Sequence, residues 1–261
     1  MRICMTMLSA VLVLAALVSG FLNGIGGSGG PVLLTALLFS GLSPVAAIST
    51  NKLTALIGSM GAIRSFSKER KVDLARSSPY LLATALGAVL GASFALSVSE
   101  RVLGQFFSVL VFLLVIVLSL DGMLRNVRAS PQATSSPGVI STISLMSGAY
   151  NGLFGPGTLI LTILPLRIFA GFAMVDGIAL ATVLNSVSNL VACLVFGTAL
   201  YSAFTLDPVI LAAIVAANLI GQNMGSRVAI RAGESGLKLI VFGSLLVLLG
   251  HLIWKYWISA A

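Results

Sequence analysis

The stretch CMTMLSAVLVLAALVSGFL, residues 4–22, contains no charged side chain, and runs of this kind recur along the chain. Successive apolar segments of about 17–22 residues match the length a helix needs to cross a hydrocarbon core about 30 Å thick. Composition leaves no aqueous alternative: 58% of the residues are hydrophobic and 8% charged, against about 25% charged in an ordinary soluble domain. Fifteen basic and seven acidic side chains could not cover the surface of a soluble core this large. The sequence therefore predicts an all-α, polytopic helical membrane protein. Its net charge of +8 needs no nucleic acid, because the basic residues cluster in short inter-helix loops, as the positive-inside rule describes. Cys4 and Cys193 lie in apolar runs without CxxC spacing and read as small buried residues. His251, near the end of the last apolar run, reads as structural or interfacial. No cofactor or metal is expected.

The chain reads as two related halves. SGFLNGIGGSGGP from Ser19 and SGAYNGLFGPGTL from Ser147 align on their Ser-Gly and Asn-Gly pairs. After a six-residue insertion in the second copy, Asn51 falls on Asn185, Asp73 on Asp207, Gly87 on Gly221 and Glu100 on Glu234. The expected organisation is a first transmembrane repeat over 1–120, a cytoplasmic linker over 121–138 and a second transmembrane repeat over 139–261. The linker is polar, basic and rich in proline and serine. Each half holds five apolar segments: 4–22, 31–42, 44–64, 78–98 and 102–120, then 139–154, 158–170, 172–198, 208–226 and 237–257. Ser43-Pro44 marks a helix start, an N-cap followed by proline at the first helical position.

Loop charge orients the halves. RSFSKERKVDLAR carries five basic residues (Arg64, Lys68, Arg70, Lys71 and Arg76) against two acids, which places it on the cytoplasmic side. Its counterpart TALYSAFTLD carries no Lys or Arg and belongs outside. The next loops reverse the pattern, with one Arg in VSER at Val98 and three Lys/Arg between Arg227 and Lys238. The pattern is that of an inverted-topology repeat, an architecture of many secondary transporters, with the N-terminus outside. Loop charge leaves open whether segments one and two of each half both cross the membrane or form a re-entrant hairpin. The short second segments favour some re-entrance.

The glycine-rich turns superficially resemble phosphate loops, but no strand precedes them and no lysine follows the last glycine, so nucleotide binding does not fit. Cleavage as a signal peptide does not fit either, because the same segment recurs at 139–154. A broken helix is tolerated in a membrane only beside protein or a wet cavity. In both copies a short helix starts just after the glycines, at Pro31 and about Thr158, and its N-terminus offers free N–H groups to an anion. Lys52 strengthens this reading. It lies near the middle of the helix opened by Pro44, where a lysine costs about 2.5–3.5 kcal/mol to insert. Pairing with a distant carboxylate or with backbone carbonyls is the structural alternative to a cation facing the pathway. The second copy places Thr182, Asn185, Ser186, Ser188 and Asn189 around the same position, with Ser186 where Lys52 stands. The substrate-contacting candidates are Asn23, Gly24, Gly27, Ser28 and Gly29; Thr50, Asn51 and Lys52; Asn151, Gly152, Gly155, Gly157 and Thr158; and Asn185, Ser186 and Asn189. No catalytic residue is expected.

Other polar and small residues have simpler readings. Gly87 with Gly91, and Gly221 with Gly225, are placed to let helices approach closely. Asn218 and Gln222 share a helix face and suit inter-helix hydrogen bonding or the pathway. Asp176 is placed to pair with Arg167, with proton coupling as the alternative. Glu100 and Glu234 suit helix starts.

The two Asn-Gly-x-x-Gly turns, NGIGGSGGP and NGLFGPGTL, are each followed by a Thr/Asn-rich helix, STNKLTALIG and ATVLNSVSNL. In this the chain resembles the TauE/SafE family of sulfite exporters over nearly its whole length. The second turn departs from the first by placing Phe154 and Pro156 where Gly26 and Ser28 stand. The resemblance implies movement of sulfite, sulfonates or related organosulfur anions across a bacterial inner membrane by a multi-pass protein. Expected partners are a small anionic substrate and the lipid bilayer; association into a homo-oligomer stays open. Alternatives are a proton- or sodium-coupled anion importer, with Asp176 as its acid, and a non-transporting accessory subunit. A membrane enzyme lacks any convergent acid–base set.

Overall fold

A computed structural model describes residues 2–25, 29–69, 77–99, 136–201 and 207–231, together with scattered positions over 101–116 and 246–258. Gly27, Ser28, Glu100, Glu234, His251 and linker positions 121–135 lie outside the described residues. The described secondary structure is helical. Among the described residues four helices are long and apolar enough to cross a bilayer, as a helical membrane protein requires.

The first half contains α1 (Arg2–Gly24), α2 (Gly30–Phe39), α3 (Pro44–Lys68) and α4 (Ser78–Ser97). The second contains α5 (Pro137–Leu153), α6 (Thr158–Ala170), α7 (Met174–Tyr201) and α8 (Pro208–Arg231). Helix α3 starts where the Ser-Pro pair predicts: Ser43 Oγ accepts a hydrogen bond from Ala46 N at 3.4 Å, and Pro44 takes the first turn. Helix α2 stops at Phe39, short of the predicted 42. Ser40 turns its hydroxyl back onto Leu37 O at 2.6 Å, and Gly41 then takes a φ of +93°.

The first two helices of each half fold back on one another. Ser147 on α5 and Thr162 on α6 share a hydrogen bond through their hydroxyls, although the turn at 154–157 separates them. In the first half, the backbone of Gly29 lies against that of Ser19 on α1. The chain therefore reverses at each glycine turn, as both a re-entrant hairpin and a pair of crossings require. At about 1.5 Å per residue, the returning arms α2 and α6 are roughly 15 and 20 Å long, shorter than a membrane crossing.

Small residues set the packing between halves. Gly20 and Gly24 on α1 press against the backbone of α8 at Asn218, Gln222 and Ser226, while Gly221 and Gly225 press back on Leu17 and Phe21. Residue numbers rise together on both helices, so α1 and α8 run parallel. The corresponding helices α4 and α5 pack in the same way: Gly87 and Gly91 meet Leu145 and Ala149, and Gly148 and Gly152 meet Thr84 and Ala88. At the centre, α3 and α7 run antiparallel. Ser59 Oγ donates to Ser186 Oγ at 2.9 Å, and Lys52 lies within electrostatic reach of Cys193, a buried free thiol.

The outer faces are apolar. On α4, Leu82, Leu86 and Leu90 are exposed at helical spacing, while Thr84, Gly87, Ala88 and Gly91 on the opposite face are buried. This is the expected division for a helix with lipid on one side and protein on the other.

Candidate functional site

Helical rise brings the two turns and the two central helices to one height. Gly30 stands about 15 Å above the far end of α2, and Lys52, eight residues into α3, stands about 12 Å above the start of α3. By the same count Thr158 and Asn185 lie about 20 and 17 Å from the α6–α7 connection. There the two turns meet: a Cβ on Gly30 would lie 3.3 Å from Pro156 Cα and 3.5 Å from Asn51 Nδ2.

A cavity of about 20 Å³ lies at this junction, enough to seat a water molecule. Asn23, Gly30, Asn51, Lys52, Ala55, Asn151, Gly155, Gly157, Thr158, Leu159, Asn185 and Asn189 line it. The first residues of α2 and of α6 are both in the lining, so two helix N-termini with their positive dipole ends border one space. Among the described residues, Lys52 is the one cation in the lining and no carboxylate lines it.

Lys52 is 1% exposed and donates from Nζ to the backbone carbonyl oxygen of Asn151. That carbonyl is in the last turn of α5, where a cation complements the helix dipole. Asn151 is itself a hub. Its Nδ2 donates to Ser188 Oγ at 2.8 Å and to Asn189 Oδ1 at 2.9 Å, and its Oδ1 accepts from Thr158 Oγ1 at 3.2 Å. Tyr150 OH donates to Pro156 O at 2.6 Å and fastens the turn between. Gly155 and Gly157 take φ of +98° and +85°, conformations that favour glycine.

Nine of the sixteen sequence-derived candidates line the cavity: Asn23, Asn51, Lys52, Asn151, Gly155, Gly157, Thr158, Asn185 and Asn189. The other described ones have local roles. Gly24 and Gly152 are helix-contact glycines against α8 and α4. The Gly29 N–H donates to Asn23 Oδ1 at 2.8 Å. Thr50 returns its hydroxyl to Ala46 O at 2.8 Å, and Ser186 accepts from Ser59. Gly30, Ala55 and Leu159 line the cavity without having been singled out. Gly30 was detectable as the counterpart of Thr158; Ala55 and Leu159 look like any apolar helix residue. Elsewhere, Asn218 Nδ2 donates to Ala16 O at 3.1 Å, and Gln222 Nε2 to Asn218 Oδ1 at 2.8 Å and Ala55 O at 3.3 Å, an inter-helix role. Arg167 and Asp176 occupy the last turn of α6 and the first turn of α7, where each complements its helix dipole.

The family model described as "Sulfite exporter TauE/SafE" matches residues 12–252. The chain belongs to the TauE/SafE family of membrane transporters. Among its relatives is the probable membrane transporter protein ORF9 of a Sinorhizobium species, 34% identical over 88% of this chain and 87% of that protein. The probable membrane transporter protein YfcA of Escherichia coli K12 is 29% identical over 89% of this chain and 84% of its own length. A probable membrane transporter protein of Haemophilus influenzae is 28% identical over 90% of each. No solved structure matches this member of the TauE/SafE family.

Proposed function

We propose that this protein exports small sulfur-containing anions, such as sulfite or sulfonates, across the bacterial inner membrane. The observation that carries the reading is the convergence of Lys52, the N-termini of α2 and α6, and Asn23, Asn51 and Asn185 on one cavity without a carboxylate among the described residues of its lining. Every charge or dipole end offered to that space by these groups favours an anion. Membership of a family described as sulfite exporters supports the sulfur chemistry. The substrate-contacting set is Asn23, Asn51, Lys52, Gly155, Gly157, Thr158, Asn185 and Asn189, joined on sequence grounds by Gly27 and Ser28 of the first turn. Gly24, Gly29, Asn151 and Gly152 shape the turns around it, and Thr50 and Ser186 are held in local hydrogen bonds.

The cavity seats a water molecule as it stands, so an anion enters only as the lining separates. Two oppositely oriented halves meeting at such a site supply the alternating-access design of inverted-repeat transporters. The antiparallel crossing of the matched helices α3 and α7, and the equivalent pairings of α1 with α8 and α5 with α4, support that reading. Export of an anion from a negative interior is favoured by about 2.3 kcal/mol per charge per 100 mV, so export needs no coupled ion on electrical grounds.

The test is flux of labelled sulfite, sulfate and taurine-like sulfonates in proteoliposomes under imposed potentials of either sign. Sulfite or sulfonate flux driven outward by an inside-negative potential is expected; absence of any anion flux would refute the reading. Cysteine-accessibility labelling of the 64–76 and 199–206 loops tests the inversion, with both loops on one side as the result that overturns it.

A further inference from the structure

Asn23 and Asn151 hold equivalent places in the two turns, yet their side chains are used differently. Both Nδ2 hydrogens of Asn151 are engaged, by Ser188 and Asn189, its Oδ1 accepts from Thr158, and its backbone carbonyl accepts from Lys52. Its hydrogen-bonding capacity is spent on holding α3, α6 and α7 together. Asn23 uses only Oδ1, toward the Gly29 N–H; its Nδ2 has no hydrogen bond to a described residue.

Asn51 is the sharper case. It is 6% exposed, it lines the cavity, and its amide makes no hydrogen bond with any described residue. Ser19 Oγ is the one fully buried side-chain N or O without a partner among the described residues, so the unpaired Asn51 amide is open to whatever occupies the cavity it lines. The neighbouring helix residues show that partners were available to the fold: Thr50 and Thr54 both bond back to carbonyls of their own helix. Asn51 instead directs its amide toward the first residue of α2, with Nδ2 3.5 Å from where a Cβ on Gly30 would lie.

We propose a division of labour among the asparagines of the cavity: Asn51, with Asn23, donates the amide hydrogen bonds that select the substrate, whereas Asn151 is a positioning residue that acts through Lys52 and the α6 N-terminus. The proposal rests on the anion-binding reading of the cavity and assigns its specificity. Nδ2 of Asn51 and Nζ of Lys52 come from successive residues, and Gly30, the first residue of α2, lines the cavity beside them. A small oxyanion seated there receives a cationic contact and a neutral N–H contact on different oxygens. Neutral donors that a substrate leaves unpaired penalise it strongly, so Asn51 discriminates between anions that differ in the number and placement of their oxygens.

The test uses the full chain in proteoliposomes, with sulfite and sulfate, which differ in the number and placement of their oxygens, as probes, and compares Asn51→Ala, Asn51→Asp and Asn151→Ala with the wild type. Asn51→Ala is expected to raise the KM for sulfite at least tenfold and to change the sulfite-to-sulfate preference, while the substrate-free melting temperature holds. Asn51→Asp keeps the shape of the side chain and abolishes flux by setting a carboxylate beside Lys52. Asn151→Ala is expected to lower the melting temperature and the maximal rate and to leave the preference between the two anions unchanged. Unchanged preference together with a lowered melting temperature in Asn51→Ala overturns the proposal. So does a changed preference in Asn151→Ala. Wild-type protein that moves no anion overturns the export reading itself, and is told apart from failure of this assignment by the wild-type arm alone.

Discussion

Lys52 donates its ammonium hydrogen to the backbone carbonyl of Asn151, joining the middle of α3 to the last turn of α5 across the two halves of the chain. The same ammonium lines the central cavity. Two opposing terms decide what its removal does. A hydrogen bond to a charged group contributes about 1.5–3 kcal/mol, and inserting a lysine at mid-membrane costs about 2.5–3.5 kcal/mol. They nearly cancel. Lys52→Ala and Lys52→Met should therefore keep the melting temperature within a few degrees while reducing anion flux at least tenfold. Proteoliposome flux and a thermal melt on the same preparation separate the outcomes; retained flux in both variants removes Lys52 from the site.

Gly155 and Gly41 offer a matched comparison. Their φ values are +98° and +93°, but a Cβ at Gly155 would lie 3.0 Å from Asn151 Oδ1 and 3.1 Å from Lys52 Nζ, whereas nothing lies within 4 Å of one at Gly41. Gly41→Ala should cost only the backbone term, about 1–2 kcal/mol. Gly155→Ala adds a displacement of both site residues, so it should lower the melting temperature further and suppress flux. Equal effects of the two variants on flux would show that the turn does not shape the site.

The helix-contact glycines carry a steric prediction. Behind Gly148 is the backbone of Thr84, and behind Gly221 that of Leu17, neither of which can rotate away as a side chain could. Overpacking a core typically costs about 1–3 kcal/mol, and here the strain falls on two helices at once. Gly148→Leu and Gly221→Leu should both reduce the monodisperse fraction in size-exclusion chromatography. Normal yield of either would mean that the close approach is dispensable.

Much of this architecture was legible as local chemistry. The Ser43-Pro44 pair marked the start of α3, the 158–170 segment coincides with α6, and paired glycines on α4 and α8 marked the close contacts. The site was legible where a polar group had to be explained in an apolar run, as with Lys52, Asn51 and Asn185. Whether the paired segments cross or re-enter was not, because a hairpin and a pair of crossings both reverse the chain, return it to the same side and leave the same loop charge. Pairing of Lys52 with a backbone carbonyl, the structural alternative to a cation facing the pathway, is what the structure adds, but which carbonyl was not legible. Asn151 stands 99 positions away, and a carbonyl acceptor leaves no residue-type signature. Ala55 and Leu159 enter the lining through helix placement alone.

The two hairpins differ in one further way. Ser147 shares a hydroxyl hydrogen bond with Thr162, and Thr162 in turn donates to Thr158 O at 2.7 Å. The counterpart of Ser147 is Ser19, and the counterpart of Thr162 is Leu34. Ser19 is fully buried, and its Oγ has no hydrogen-bond partner among the described residues. An unpaired buried hydroxyl carries a desolvation cost of about 1–3 kcal/mol, whereas a paired one within a membrane contributes about 0.6 kcal/mol on average. Ser19→Ala should therefore leave the melting temperature unchanged or raise it, and Ser147→Ala should lower it. Leu34→Thr supplies the missing partner but also removes a buried Leu side chain, so its own melting temperature does not decide the matter. A double-mutant cycle with Ser19→Ala does: a favourable coupling of about 0.5–1 kcal/mol between Ser19 and Thr introduced at position 34 is expected for residues in contact. Zero coupling, or equal losses in Ser19→Ala and Ser147→Ala, would show that the first hairpin already satisfies Ser19 as the second satisfies Ser147.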